Sequence, residues 1–350
     1  MRYVNILLLL AFFTSCKKDV IEPTVPTTLS AGFLVLNEGL FQQNNSSLSW
    51  VDTQASSVNL DFFLSKNNRL LGDTGNDMQV YGGKIYVVVN GSSTIEVLEK
   101  STGKSIKQIN MFVGNVAKSP RSIAFSGSRA FISCYDGFVD ILDTVSLTIV
   151  QRIQVGSNPE GLAVSNGKLF VANSGGLNFP NVDSTLSVID LTSYQEIQKI
   201  TVGKNPGSVL VDQEGDVYVI ARGNYGSNPS RMVRVNSISL TVEEQFPFDA
   251  MGISKMNSQF LISFYNYTTQ SSAVRLFDPL SETLINSNFL NTADIQTLYG
   301  VDYNSFNDKI YCLDAMNYTN TGYVRKYSSQ GVYETSYHVG LNPSKIIFYE

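Results

Sequence analysis

The residues able to do chemistry are few, and most gather in loops. The only histidine, His338, sits in "SYHVG" with no Ser or Cys nucleophile motif beside it, so it reads as structural. No C-x-x-C-H marks a haem, and "GNDMQVYGG" (Gly75 to Gly83) lacks the spacing of a phosphate loop. What recurs is a set of long segments rich in Asn, Tyr and Gly. They read "NEGLFQQNNSS" from Asn37, "NSGGLNFPNVDS" from Asn173, "RGNYGSNPSR" from Arg222, "YNYTTQSS" from Tyr265 and "DAMNYTNTG" from Asp314. Aromatic faces can stack on a flat ring or a sugar, and amides supply directional hydrogen bonds. The candidate ligand-binding residues are therefore Asn37, Glu38, Phe41, Asn90, Tyr135, Asn173, Asn178, Phe179, Arg222, Asn224, Tyr225, Tyr265, Tyr267, Asn317 and Tyr318. The same residue types are also ordinary loop formers.

Positioning such loops requires a scaffold, and the sequence supplies one by repetition. "SPRSIAF…" from Ser119, "NPEGLAV…" from Asn158 and "NPGSVLV…" from Asn205 each open four short apolar or alternating segments separated by turns. Weaker copies start at Gly75, Met251 and Leu298. In three copies an Asp closes the third strand (Asp143, Asp190, Asp278), where its carboxylate can cap the next turn. No stretch reads as an amphipathic helix. The copy that opens at Gly32 lacks its first strand, and the terminal "VGLNPSKIIFYE" is a first strand with nothing after it. Together they make one unit. The expectation is an all-β, seven-bladed β-propeller of about 40–45 residues per blade, its C-terminal strand closing the first blade against residues near Phe33 to Asn37.

Aligning the seven first strands yields one aliphatic column: Val80, Ile123, Leu162, Val209, Ile253, Val301 and Ile346. Two residues earlier stand Met78, Arg121, Glu160, Gly207, Met251, Tyr299 and Ser344, expected at the mouth of the central channel. That ring offers one acid and one base, which is no metal cage. A calcium site would need more oxygen ligands than Glu160 and Asp302 provide, and Asp302 is expected to point away from the channel. No catalytic residue, metal or cofactor is expected.

Bulk composition agrees with a large folded domain. The chain has 350 residues, 43% hydrophobic and 16% charged, with a net charge of -5. Mild acidity, with no basic cluster beyond Lys17-Lys18, argues against nucleic-acid binding. The opening "MRYVNILLLLAFFTSCKKD" has an early cation, an apolar run too short to span a membrane, and an abrupt switch at Cys16. Residues 1–15 read as a lipoprotein signal with Cys16 as the lipidated residue, an ordinary secretory signal being the alternative. Residues 16–30 form a polar tether and 31–350 the propeller. Cys134 and Cys312 fall in different blades and read as buried free thiols.

The "VGxNPxGLAVSNGKLFVANS…LSVIDLTSYQEIQKITVG" pattern resembles the YVTN-type, or YncE-like, seven-bladed propellers. The opening "FLVLNEGLFQQNNSSLSWVD" with a lipoprotein signal resembles a narrower group, the surface propeller lipoproteins of Bacteroidetes of the cobalamin-capturing BtuG type. That resemblance implies an outer-membrane, outward-facing lipoprotein, a periplasmic orientation being the alternative. It also implies a TonB-dependent transporter as partner, a corrinoid as first candidate cargo, and a chain that is monomeric apart from that complex. A protein- or glycan-binding adhesive module and a lactonase-type hydrolase are the competing readings.

Overall fold

A computed structural model describes residues 28–350. The expected signal, Cys16 and the tether as far as residue 27 lie outside the described residues. Leu29, at the edge of the expected tether, is buried among blade 1 and blade 2 side chains.

Seven four-stranded antiparallel sheets are arranged as propeller blades. Their inner strands are Pro343–Tyr349 (blade 1), Gly75–Tyr81 (2), Pro120–Ser126 (3), Pro159–Ser165 (4), Pro206–Val211 (5), Gly252–Met256 (6) and Leu298–Asn304 (7). Sequence type follows radial position. Second strands such as Lys84–Val89 (KIYVVV) have neighbouring blades on two sides and are apolar almost throughout. Fourth strands such as Gln195–Thr201 (QEIQKIT) form the outer edge and are mostly exposed, polar and charged, which blunts an edge that would otherwise recruit other strands. The core is divided into seven slabs, one between each pair of neighbouring blades.

The ring closes as the repeat count requires. Pro343–Tyr349 pairs antiparallel with Gly32–Asn37, Phe33 opposite Phe348 and Val35 opposite Ile346. The Ala31 N–H donates to the Glu350 carbonyl (2.8 Å), and Phe33 packs edge-on against Tyr311 of blade 7. The recurring V-G-x-N-P signature has a steric origin. Asn158, Asn205 and Asn342 adopt φ of 44°, 55° and 54°, a left-handed geometry that Asn tolerates better than most residues. The preceding glycines make room: a Cβ on Gly156 would lie 2.5 Å from Asn173 Nδ2, and one on Gly340 2.6 Å from Asn37 Cγ. The third-strand aspartates cap their turns, with Asp143 Oδ1 accepting from the Val145 and Ser146 N–H groups at 3.0 and 2.7 Å. Asp52 and Asn236 do the same in blades 1 and 5.

Two local elements fall outside the four-strand repeat. A six-residue helix, Phe62–Asn67, links blades 1 and 2, and it shortens the fourth strand of blade 1 to Ser57–Asn59. It is too short to show a helical period in sequence, and the burial of Phe62 and Phe63 against Trp50 and Leu71 holds it in place. A two-stranded ribbon, Phe112–Val113 with Val116–Ala117, also rises between blades 2 and 3. Cys134 and Cys312 are free and buried, in blades 3 and 7.

Candidate functional site

A central cavity of ≈ 290 Å³ opens where the loops joining second to third strands gather. Its mouth is built by bulges near the start of the inner strands. Ladder pairing jumps between Pro120 and Ser122, between Gly75 and Asp77, and between Leu298 and Gly300. The skipped residues Arg121, Asn76 and Tyr299 line the cavity.

Arg121 and Glu160 form the centre of the mouth. The Arg121 Nε and Nη2 donate to the Glu160 carboxylate at 3.2–3.3 Å, and its Nη1 donates to Asn76 Oδ1 at 2.7 Å. The guanidinium lies over the Tyr135 ring, 4.6 Å from its centroid, and the Tyr135 hydroxyl donates to Glu160 Oε1. Burial pushes the Glu160 carboxyl up, but Arg121, Arg222 and the Tyr135 hydroxyl overcome it and hold the carboxyl below its usual range. Across the mouth the Tyr299 hydroxyl donates to Glu38 Oε2. Burial raises the Glu38 carboxyl despite that bond and the nearby Arg121.

A second ionic layer lies along the inner strands. Lys345 Nζ is 3.7 Å from Asp77 Oδ1, and Asp302 feels the charges of both. Burial lifts the Asp302 carboxyl to about 6, with Lys345 pulling the other way and Asp77 adding to the rise. Asp302 therefore lines the channel, contrary to the expectation that it points away.

Of the expected mouth ring, Arg121, Glu160, Gly207, Met251, Tyr299 and Ser344 line the cavity and Met78 does not. The blade 2 bulge falls at Asn76, so the sequence alignment there is two residues out of register. Met78 is buried in the blade 1–2 core, and Asn76 holds the mouth position. All seven residues of the aliphatic column pack between blades, and Ile123, Leu162, Val209, Ile253 and Val301 also border the cavity.

The loop candidates separate into three groups. Asn37, Asn173 and Asn90 are buried, and their amides are used inside the fold: Asn37 Nδ2 donates to Ser47 and Ser49 hydroxyls, Asn173 Nδ2 to Thr185 and Ser187 hydroxyls, and Asn90 Nδ2 to the Pro120 carbonyl. Asn224 and Asn317 shape their own loops, accepting from Gly226 and Asn228 and from Thr319 and Asn320 N–H groups. Asn178 closes a turn through its carbonyl to the Asn181 N–H. The aromatics behave differently. Tyr225 and Tyr267 are more than half exposed and meet edge-to-face at 6.2 Å; Tyr267 meets Tyr265 at 5.0 Å, and Tyr318 meets Tyr299 at 6.0 Å. Burial and the neighbouring Tyr267 hydroxyl push the Tyr318 hydroxyl up, so the tyrosines of blades 5 and 6 approach the Tyr318–Tyr299 pair that leads to the Glu38 carboxylate. Phe41 and Phe179 are exposed on blades 1 and 4. His338 shares a hydrogen bond with Thr321 Oγ1 inside the outer hairpin of blade 7. Asn76, Asp77 and Lys345 were missed because only the bulge register places them in the channel.

The family profile described as "Domain of unknown function (DUF5074)" matches residues 31–275. The chain belongs to this family. Among solved structures, it is similar to a quinonprotein alcohol dehydrogenase-like protein from Bacteroides thetaiotaomicron, at 16% identity and a TM-score of 0.66, covering 92% of this chain and 79% of that one. Kuenenia stuttgartiensis hydrazine synthase aligns at 17% identity and a TM-score of 0.53, over 67% of this chain and 71% of that chain. At these identities the likeness concerns the fold alone. No curated protein matches the sequence.

Proposed function

We propose that this DUF5074 propeller is a non-catalytic ligand-capture module, with a corrinoid as the first cargo to test and a TonB-dependent transporter as its partner at the outer membrane. The observation that carries the reading is the set of tyrosines beside the Arg121–Glu160–Tyr135 centre at one channel mouth. Five aromatic rings, packed as a group of three and a pair, offer a broad surface whose ordering cost is met in folding rather than on binding. The polar centre can orient a ligand without performing chemistry on it, since its acid and base satisfy each other. Cargo and partner rest on the sequence resemblance to BtuG-type lipoproteins.

The test is isothermal titration of the mature chain with cyanocobalamin, other corrinoids and ferric siderophores, alongside pull-down of an outer-membrane transporter. Saturable binding of one of these, lost in Tyr267→Ala, is the expected result. No heat and no partner, with binding instead to a protein or glycan surface, would replace capture by the adhesive reading.

A further inference from the structure

One charged group at the mouth has unused binding capacity. Glu160 is occupied by Arg121 and Tyr135, and Glu38 by Tyr299. Arg222 has no carboxylate within ion-pair distance among the described residues, and its side chain makes a single long hydrogen bond there, from Nε to the Met251 carbonyl (3.5 Å). A guanidinium carries five N–H donors in a fixed fork, so most of this one is free. Its position is set by a glycine: a Cβ on Gly207 would come within 2.6 Å of Arg222 Nε, so the guanidinium lies flat against the inner strand of blade 5.

Arg222 and Met251 are shared between the central cavity and a side pocket of ≈ 210 Å³ between blades 5 and 6. Tyr225, Tyr265, Tyr267 and Phe264 wall that pocket. Its carboxylate, Asp249, accepts from Ser230 Oγ at 3.4 Å and is offset by Arg275, whose Nη1 also donates to the Asp249 carbonyl at 2.8 Å. The acid in the pocket is thus held on the side of Arg275.

We propose that the blade 5–6 pocket is an anion-recognising subsite, in which Arg222 takes a carboxylate or phosphate group and Tyr225 and Tyr267 hold the adjoining flat ring. This rests on the capture reading and gives its ligand a chemistry: an anionic group one ring away from a planar or sugar-like body. Two parallel N–H···O bonds from a guanidinium to a carboxylate or phosphate are among the strongest polar contacts available to a side chain. The tyrosines add stacking surface without further charge.

The test uses small probes on the mature chain: benzoate and phenyl phosphate (ring with anion), inorganic phosphate (anion alone) and benzyl alcohol (ring alone). Binding is read by ligand-observed NMR and calorimetry. The ring-bearing anions are expected to bind more tightly than either half, with benzoate against phenyl phosphate telling carboxylate from phosphate. Arg222→Met should weaken them roughly 10–100-fold. Gly207→Ala should do nearly the same by displacing the guanidinium, while near-wild-type melting of that variant shows the fold intact. Equal affinity of the anions for wild type and Arg222→Met, or no binding of either ring-bearing anion, overturns the subsite. A corrinoid that binds wild type and Arg222→Met alike overturns it too while leaving capture standing. Anion binding at Arg222 without any corrinoid or siderophore binding supports the subsite and removes the proposed cargo.

Discussion

Replacing Arg121 by Met tests whether the mouth is held by electrostatics. The change keeps the aliphatic stem and removes three N–H···O contacts of 3.2–3.3 Å to Glu160, whose side chain is only 10% exposed. Removing one partner of a buried pair typically costs about 3–5 kcal/mol. Here the Tyr135 hydroxyl and the field of Arg222 remain, so a loss of about 2–3 kcal/mol is expected near neutral pH. The pH dependence carries the diagnostic sign. In the wild type the Glu160 carboxyl is depressed, so its contribution is present above the unfolded carboxylate value and is lost as pH falls through the folded one. Without Arg121, burial dominates and lifts the carboxyl above its unfolded value. Acidification then relieves the variant, and its deficit against wild type should shrink towards about pH 4. Urea denaturation followed by far-UV circular dichroism, across that range, measures the difference. Arg121→Met/Glu160→Gln should recover at least half of the lost stability, because the stranded charge is gone. A deficit below about 0.5 kcal/mol near neutral pH, or one independent of pH, would refute the reasoning.

Three further outcomes are expected. Deleting residues 342–350 removes the strand paired with Gly32–Asn37 and should abolish cooperative unfolding and expose the chain to limited proteolysis; a wild-type melting curve would contradict closure. Asp302→Asn should stabilise the protein by about 1–2 kcal/mol above pH 7 and have little effect near pH 4. That sign follows because a carboxyl lifted to about 6 opposes folding once ionised and is neutral below its unfolded value; a stability difference that did not change with pH would count against it. Burial pushes the Cys134 and Cys312 thiols up, so neither should react with a thiol reagent until the protein is unfolded, and prompt labelling of the native chain would contradict their placement.

Much of the architecture is local information repeated. Asp143 and Asp190 cap turns through bonds to residues two and three positions on, and Asn158 and Asn205 occupy a backbone geometry that their own type favours. Such features recur at a fixed spacing, so blade number and closure by Pro343–Tyr349 can be read without any tertiary contact. The site is different because it depends on bulges. One unpaired residue per inner strand decides which side chain enters the channel, and a bulge leaves no composition signal. Hence Met78 looked like a mouth residue when Asn76 is one, and Asp302 looked outward when it lines the cavity. The loop asparagines look alike in sequence, yet Asn37 and Asn173 are used up inside their blades while Asn224 and Asn317 fold their own loops. Sequence by itself determined the ring and the face on which loops gather. Only the tertiary structure decided that Arg222 has no ion-pair partner among the described residues and lies beside three tyrosines, because pairing depends on which blades meet and not on neighbours along the chain.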